Sequence, residues 1–174
     1  ETIWKIMKNV IDTINLLKDN WSSPRHSMQE GKPSIFRFVC LFNDEGVDLR
    51  DDFPILVPDD LRDFWRYSNG AQLFKDVDYE QWGLEVYTPQ MAIERTTQEK
   101  NERPEDYGEQ DLVIGTFLGD SDLLVISCNK SSPEFNKVFV SLPLYDKPDW
   151  PIVATSFSDF LEKYAKREGD KYWE

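Results

Sequence analysis

Apolar residues recur at helical spacing near the start of the chain: Ile3, Met7, Val10, Ile14 and Leu17, with Lys5, Lys8, Asp12, Asn15 and Lys18 opposite them. Steps of three and four put one apolar stripe toward a core, so a first amphipathic helix is predicted over about 2–20. WSSPRHSMQEGKP (21–33) mixes Pro, Ser and Gly without a period and reads as a loop. SIFRFVCLF (34–42) is dense in β-branched and aromatic residues and reads as a strand, followed by the acidic connection NDEGVDLRDDFP (43–54).

PDDLRDFWRYSNGA (58–71) crowds acids, arginines and aromatics together. It parses as a short helix. Pro58 precedes Asp59 and Asp60, either of which suits a helix N-terminus. Leu61, Phe64, Trp65 and Ser68 share one face, and Asn69-Gly70 is a stop signal that readily takes left-handed backbone. AQLFKD and QWGLEVY, the latter containing Trp82 and Gly83, then predict two strands linked through VDYE. Thr88-Pro89 starts a helix running into the late nineties, and 96–110 reads as a polar loop. The block 111–142 predicts three strands, with Gly115 in the first and turns at Gly119-Asp120 and Ser131 to Pro133. Ser156 caps a last helix carrying Phe157, Phe160, Leu161 and Tyr164, with Asp159 in a capping-box position and Gly169 as its stop. Helix, strand, helix, several strands, helix is an α+β order. It predicts a single domain over 1–174 with a mostly antiparallel central sheet of about six strands and helices packed around it.

Composition sharpens this picture. With 40% hydrophobic and 14% aromatic residues, 174 residues build a core without staples. Cys40 and Cys128 lie in apolar runs and read as small core residues, which fits a reducing, cytoplasmic setting. No apolar run approaches the roughly 20 residues of a membrane span. A net charge of −13 without a basic cluster argues against nucleic acid and favours basic protein partners.

Candidate chemistry is sparse. His26 is the one histidine, and two distant cysteines make no zinc pattern, so neither a metal nor another cofactor is expected. Setting Gly46 at the sixth position of a calcium loop puts Leu41 where an acid is required. There is no Gly-x-Ser-x-Gly elbow and no phosphate loop. Paired acids such as Asp51-Asp52 carry little specificity in so acidic a chain. The reading is a non-enzymatic binding protein, with an undiscovered hydrolase kept as a lesser alternative.

Four segments in order carry a family resemblance: Pro58-x-Asp60-Leu61-x-x-Phe64 ending at Asn69-Gly70, the Gly83 strand, IGTFLGDSDLLVIS and VATSFSDFLEKY. From about Pro54 to the C-terminus the chain resembles the SUKH superfamily, which includes bacterial immunity proteins and fungal regulators of cell-wall synthesis. Leu123 departs from the family, which often has a second glycine there. The resemblance implies an α+β domain that is not an enzyme and that binds and blocks a polymorphic toxin, often a nuclease. An intracellular adaptor of the same fold is the alternative. The acidic balance adds candidate contacts: Asp44, Glu45, Asp48, Asp51 and Asp52 in the connection, Asp76, Asp78 and Glu80 in the hairpin, and Trp82, an aromatic that either anchors a partner or covers the edge of the core.

Overall fold

The computed structural model describes residues 9–174. Ile3, Lys5, Met7 and Lys8 of the expected first helix lie outside them. The described part, α1 (Val10–Trp21), starts at Asn9, whose side-chain oxygen accepts from the Asp12 amide at 3.0 Å. Val10, Ile14, Leu17 and Trp21 bury the stripe expected from their spacing.

A single antiparallel sheet runs in sequence order through β1 (Arg25–Gln29), β2 (Lys32–Phe42), β3 (Ala71–Asp76), β4 (Leu84–Val86), β5 (Asp111–Phe117), β6 (Leu123–Ser127), β7 (Val138–Ser141) and β8 (Ile152–Ala154). Eight strands stand where about six were expected. The first extra strand lies inside the expected 21–33 loop. There β1 has no apolar alternation, and its pairing is imposed by a tight turn in which Glu30 and Gly31 both take positive φ. The second, β8, is three residues long, too short to show a period.

The helices α2 (Asp59–Tyr67), α3 (Pro89–Glu102) and α4 (Phe157–Lys166) complete the fold. α1, α2 and α4 pack against one another, and α3 packs on β5. Phe64 meets Phe157 edge to face at 5.2 Å, and Tyr164 of α4 meets Phe74 of β3 and Phe117 of β5 at 5.5 and 6.4 Å. These contacts build the core between the three helices and one sheet face. Leu61, Phe64, Trp65, Phe157, Phe160 and Leu161 are all fully buried, as their helical spacing predicts.

Helix ends follow the sequence with two corrections. Neither Asp59 nor Asp60 caps α2. Pro58 occupies that position and both acids sit in the first turn. Asp60 instead accepts from the Ser158 amide at 2.8 Å, so it satisfies the start of α4 from a neighbouring helix. α3 also runs past the expected loop boundary to Glu102. Thr96 on its inner face accepts from the Val113 amide at 2.8 Å, and Arg95 pairs with Glu99 at 2.8 Å, so polar contacts replace the missing apolar stripe.

At α4, the Ser156 hydroxyl accepts from the Asp159 amide at 3.0 Å, and Asp159 in turn accepts from the Thr155 amide at 3.0 Å and from Lys163. Partial burial raises the Asp159 carboxyl, but the Thr155 amide and Lys163 outweigh it and hold it below the ordinary 3.8. A carboxylate depressed by folding adds stability above its unfolded value, and that contribution disappears as pH falls through the folded value. Asp159→Asn is therefore expected to cost at most about 1 kcal/mol at neutral pH, because solvent screens a carboxylate this exposed. Urea titrations at stepwise lower pH should show the two proteins converging.

In β3, Leu73 and Phe74 together oppose Cys40. Phe74 sits at φ 51, and its amide donates to the Cys40 sulfur at 3.3 Å. This bulge breaks strand alternation and buries both Leu73 and Phe74. Pairing then sets Leu41, Gln72, Glu85 and Thr116 in one row on the face away from the three helices. At the β2 end of that row Leu41 is 47% exposed. No helix among the described residues is long and apolar enough to cross a membrane.

Candidate functional site

The connection 43–54 does not hang free. Gly46 passes so close to the end of α2 that a Cβ there would stand 1.6 Å from the Arg66 carbonyl oxygen. The next residue, Val47, donates its amide to the Trp65 carbonyl at 2.8 Å. Trp65 meets Phe53 edge to face at 6.2 Å and donates its Nε1–H to the Tyr87 carbonyl at 2.8 Å, one residue before the α3 cap. Thr88 then caps α3 by accepting from the Met91 amide at 3.2 Å. One buried indole thus fixes the spacing between the acidic connection and the start of α3.

Between those two walls lies a recess of about 750 Å³ with Val47, Leu49, Phe53 and Ile93 on its apolar sides. A second recess, of about 280 Å³, continues across the sheet past Leu41, Gln72, Glu85 and Met91. Asn69 and Thr88 line both, so the two recesses adjoin at these residues and together make up a trough. Asp48, Asp52, Glu85 and Glu94 contribute carboxylates to its lining, against one guanidinium, Arg50.

The expected contact residues separate into two groups. Asp48 and Asp52 line the trough, while Asp44, Glu45 and Asp51 lie exposed on the same connection. Asp44 pairs with Lys18 at 2.6 Å, Asp48 with Arg66 at 3.0 Å and Asp52 with Arg50 at 3.4 Å. Exposed pairs of this kind contribute little and exchange partners readily. The hairpin acids do not line the trough. Asp76 is fully buried and accepts from the Asp78, Tyr79 and Gln81 amides, which withdraws it from any docking surface. Asp78 takes the Arg37 side chain at 2.8 Å together with the Arg37 amide, and these bonds lower its carboxyl. Glu80 pairs with Lys75 at 2.8 Å.

Trp82 is half-buried. Its Nε1–H donates to the Gly169 carbonyl at 3.1 Å, and Lys171 lies over its ring. The buried Lys171 also pairs with Asp120 and Asp122. Trp82 and Asp120 therefore clamp the C-terminal segment. Gly83 and Gly115 pack closely on neighbouring backbone, and Gly119 at φ 91 would drive a Cβ to 2.0 Å from the Gln81 carbonyl oxygen.

Nucleophilic groups sit elsewhere. Burial pushes the Cys40 and Cys128 thiols up to about 12, so neither is a thiolate at neutral pH. His26 lies exposed in β1, where Nδ1–H donates to the Ser34 carbonyl at 2.8 Å. Among the described residues no three His, Cys, Asp or Glu side chains are grouped to hold a metal ion. What the trough offers is recognition: apolar walls, carboxylates at the rim and the Asn69 amide where the recesses adjoin. Leu49, Phe53, Ile93 and Glu94 gave no sign of this role in the sequence, because they meet only after residues 47–53 fold against 88–94. The one local signal was the acidity of 43–54.

Residues 43–163 match the SMI1 / KNR4 family (SUKH-1), a span covering well over half of the chain and both walls of the trough. No curated protein matches the chain.

Proposed function

Because the chain belongs to the SMI1 / KNR4 family (SUKH-1), we propose that it is an immunity protein that binds and blocks a cognate toxin domain without performing chemistry itself. The observation that carries this reading is the pairing of that family membership with an acid-rimmed apolar trough. Carboxylates at the rim of a binding surface steer a basic partner and take positions that phosphates occupy on a nuclease. The acidic connection Asp44, Glu45, Asp48, Asp51 and Asp52 is the expected side of approach. Asp78 and Glu80, which line neither recess, are expected to contribute less.

Growth of cells expressing a candidate cognate toxin domain provides the test. Co-expression is expected to restore growth. Reversing Asp48, Asp51 and Asp52 to Lys together should abolish the rescue, while reversing Glu80 alone should leave it. Rescue that persists through the triple reversal contradicts electrostatic capture, and growth arrest despite soluble, folded protein contradicts neutralisation.

A further inference from the structure

We propose that the trough holds one extended segment of the partner chain, in which Lys or Arg residues alternate with aliphatic ones. The assignment rests on the toxin-binding reading but names the segment's chemistry and its seat. Leu49, Phe53 and Ile93 give the larger recess an apolar wall, and its volume of about 750 Å³ takes several side chains at once. Asp52, Glu85 and Glu94 stand along the trough at positions where cationic head groups meet carboxylates while their methylene stems stay against the apolar wall. Two side-chain amides lie between these elements, Asn69 where the recesses join and Gln72 on the sheet row. Neither side chain makes a hydrogen bond within the described residues. An amide carries both donor and acceptor, which complements the free N–H and C=O groups of an extended chain. A helix keeps those groups to itself, so the unpaired amides favour an extended occupant. Charge complementarity excludes an acidic segment, and the apolar wall distinguishes the aliphatic-basic segment from a purely basic one.

The probe is a synthetic peptide of about ten residues alternating Lys or Arg with Leu or Val, titrated into isotope-labelled full chain and followed by backbone amide shifts. Two companions complete the set: one with Glu replacing the bases, and one with Ser replacing the aliphatics. The expected result is saturable shifts confined to 47–54, 69–72 and 88–94 for the first peptide, with both companions at least tenfold weaker. Asp52→Lys with Glu94→Lys is expected to weaken the first peptide tenfold or more while leaving the free protein's spectrum folded. Reversing Glu105 and Glu109, which follow the C-terminal end of α3 and line neither recess, should not. Shifts spread over the whole acidic surface, equal binding of the Ser peptide, or equal loss on reversing Glu105 and Glu109 would each overturn the assignment, as would no binding. A toxin blocked equally well by the Asp52→Lys, Glu94→Lys protein removes the docking groove and leaves neutralisation standing. A peptide seated in the trough of a protein that inhibits no toxin does the reverse.

Discussion

Trp65→Ala is expected to destabilise the protein by about 3–5 kcal/mol, the range for emptying a large aromatic site in a packed core. Trp65 is fully buried and touches two other parts of the chain, the acidic connection and the segment before α3. Its ring packs on Phe53, its Nε1–H satisfies the Tyr87 carbonyl, and its own carbonyl accepts the Val47 amide. Alanine keeps the last of these and loses the first two. The cavity then lies directly behind the trough, so the surviving fold should also lose partner affinity. Net stabilities of single domains run to only about 5–15 kcal/mol, and such a loss brings the midpoint of urea unfolding down steeply. Trp65→Phe separates the two contributions. Most of the ring contact stays, the Tyr87 carbonyl loses its donor, and the expected cost falls to about 1–3 kcal/mol. Equal urea midpoints for the parent and the alanine variant would show that this indole does not hold the two walls.

Gly46→Ala should act on the site more than on the fold. A Cβ 1.6 Å from the Arg66 carbonyl oxygen cannot be accommodated, and the obstacle is backbone at the end of α2 rather than a flexible side chain. The exposed connection therefore has to lift away, breaking the Val47 amide bond to Trp65 and opening the larger recess on one side. The stability cost is expected at about 1–3 kcal/mol, as for overpacking. Partner binding should fall at least tenfold, because Val47, Asp48 and Leu49 move with the backbone. Gly108→Ala is the matched control: its nearest neighbour would lie at 3.4 Å and its backbone carries no positive φ, so it should be near neutral. Calorimetric titration of the partner with both variants checks the pair. A Gly46→Ala protein that binds like its parent would show that the connection is not part of the interface.

These two positions also show what could be read in the sequence. The face of α2 was legible because Leu61, Phe64 and Trp65 repeat at helical spacing, and Ser156 announced α4 because a hydroxyl before an apolar run has one common use. Those signals are local. β1 carries no such signal, since RHSMQ takes its strand geometry from its partner and from a turn written Glu-Gly rather than Asn-Gly. Phe74 at φ 51 is equally silent, because a bulge is set by the register of two strands distant in sequence. For the site, the acids of 43–54 were visible as composition. Their division from Asp76 was not, since burial of one carboxylate by three amides is a property of the folded hairpin. Gly46 fails the register of a calcium loop in sequence, and its actual role, a close approach between connection and helix, is visible only in the fold.

Stoichiometric capture at the trough is tested most directly by titrating the catalytic activity of the cognate toxin domain with the purified chain. Inhibition is expected to run linearly to a sharp endpoint at about one equivalent at low salt. The endpoint should broaden as salt rises and should be lost in the Asp52→Lys, Glu94→Lys protein. Full toxin activity at several equivalents of folded protein, or complete inhibition at a small fraction of one equivalent, would contradict a binding protein that works by occupying its target.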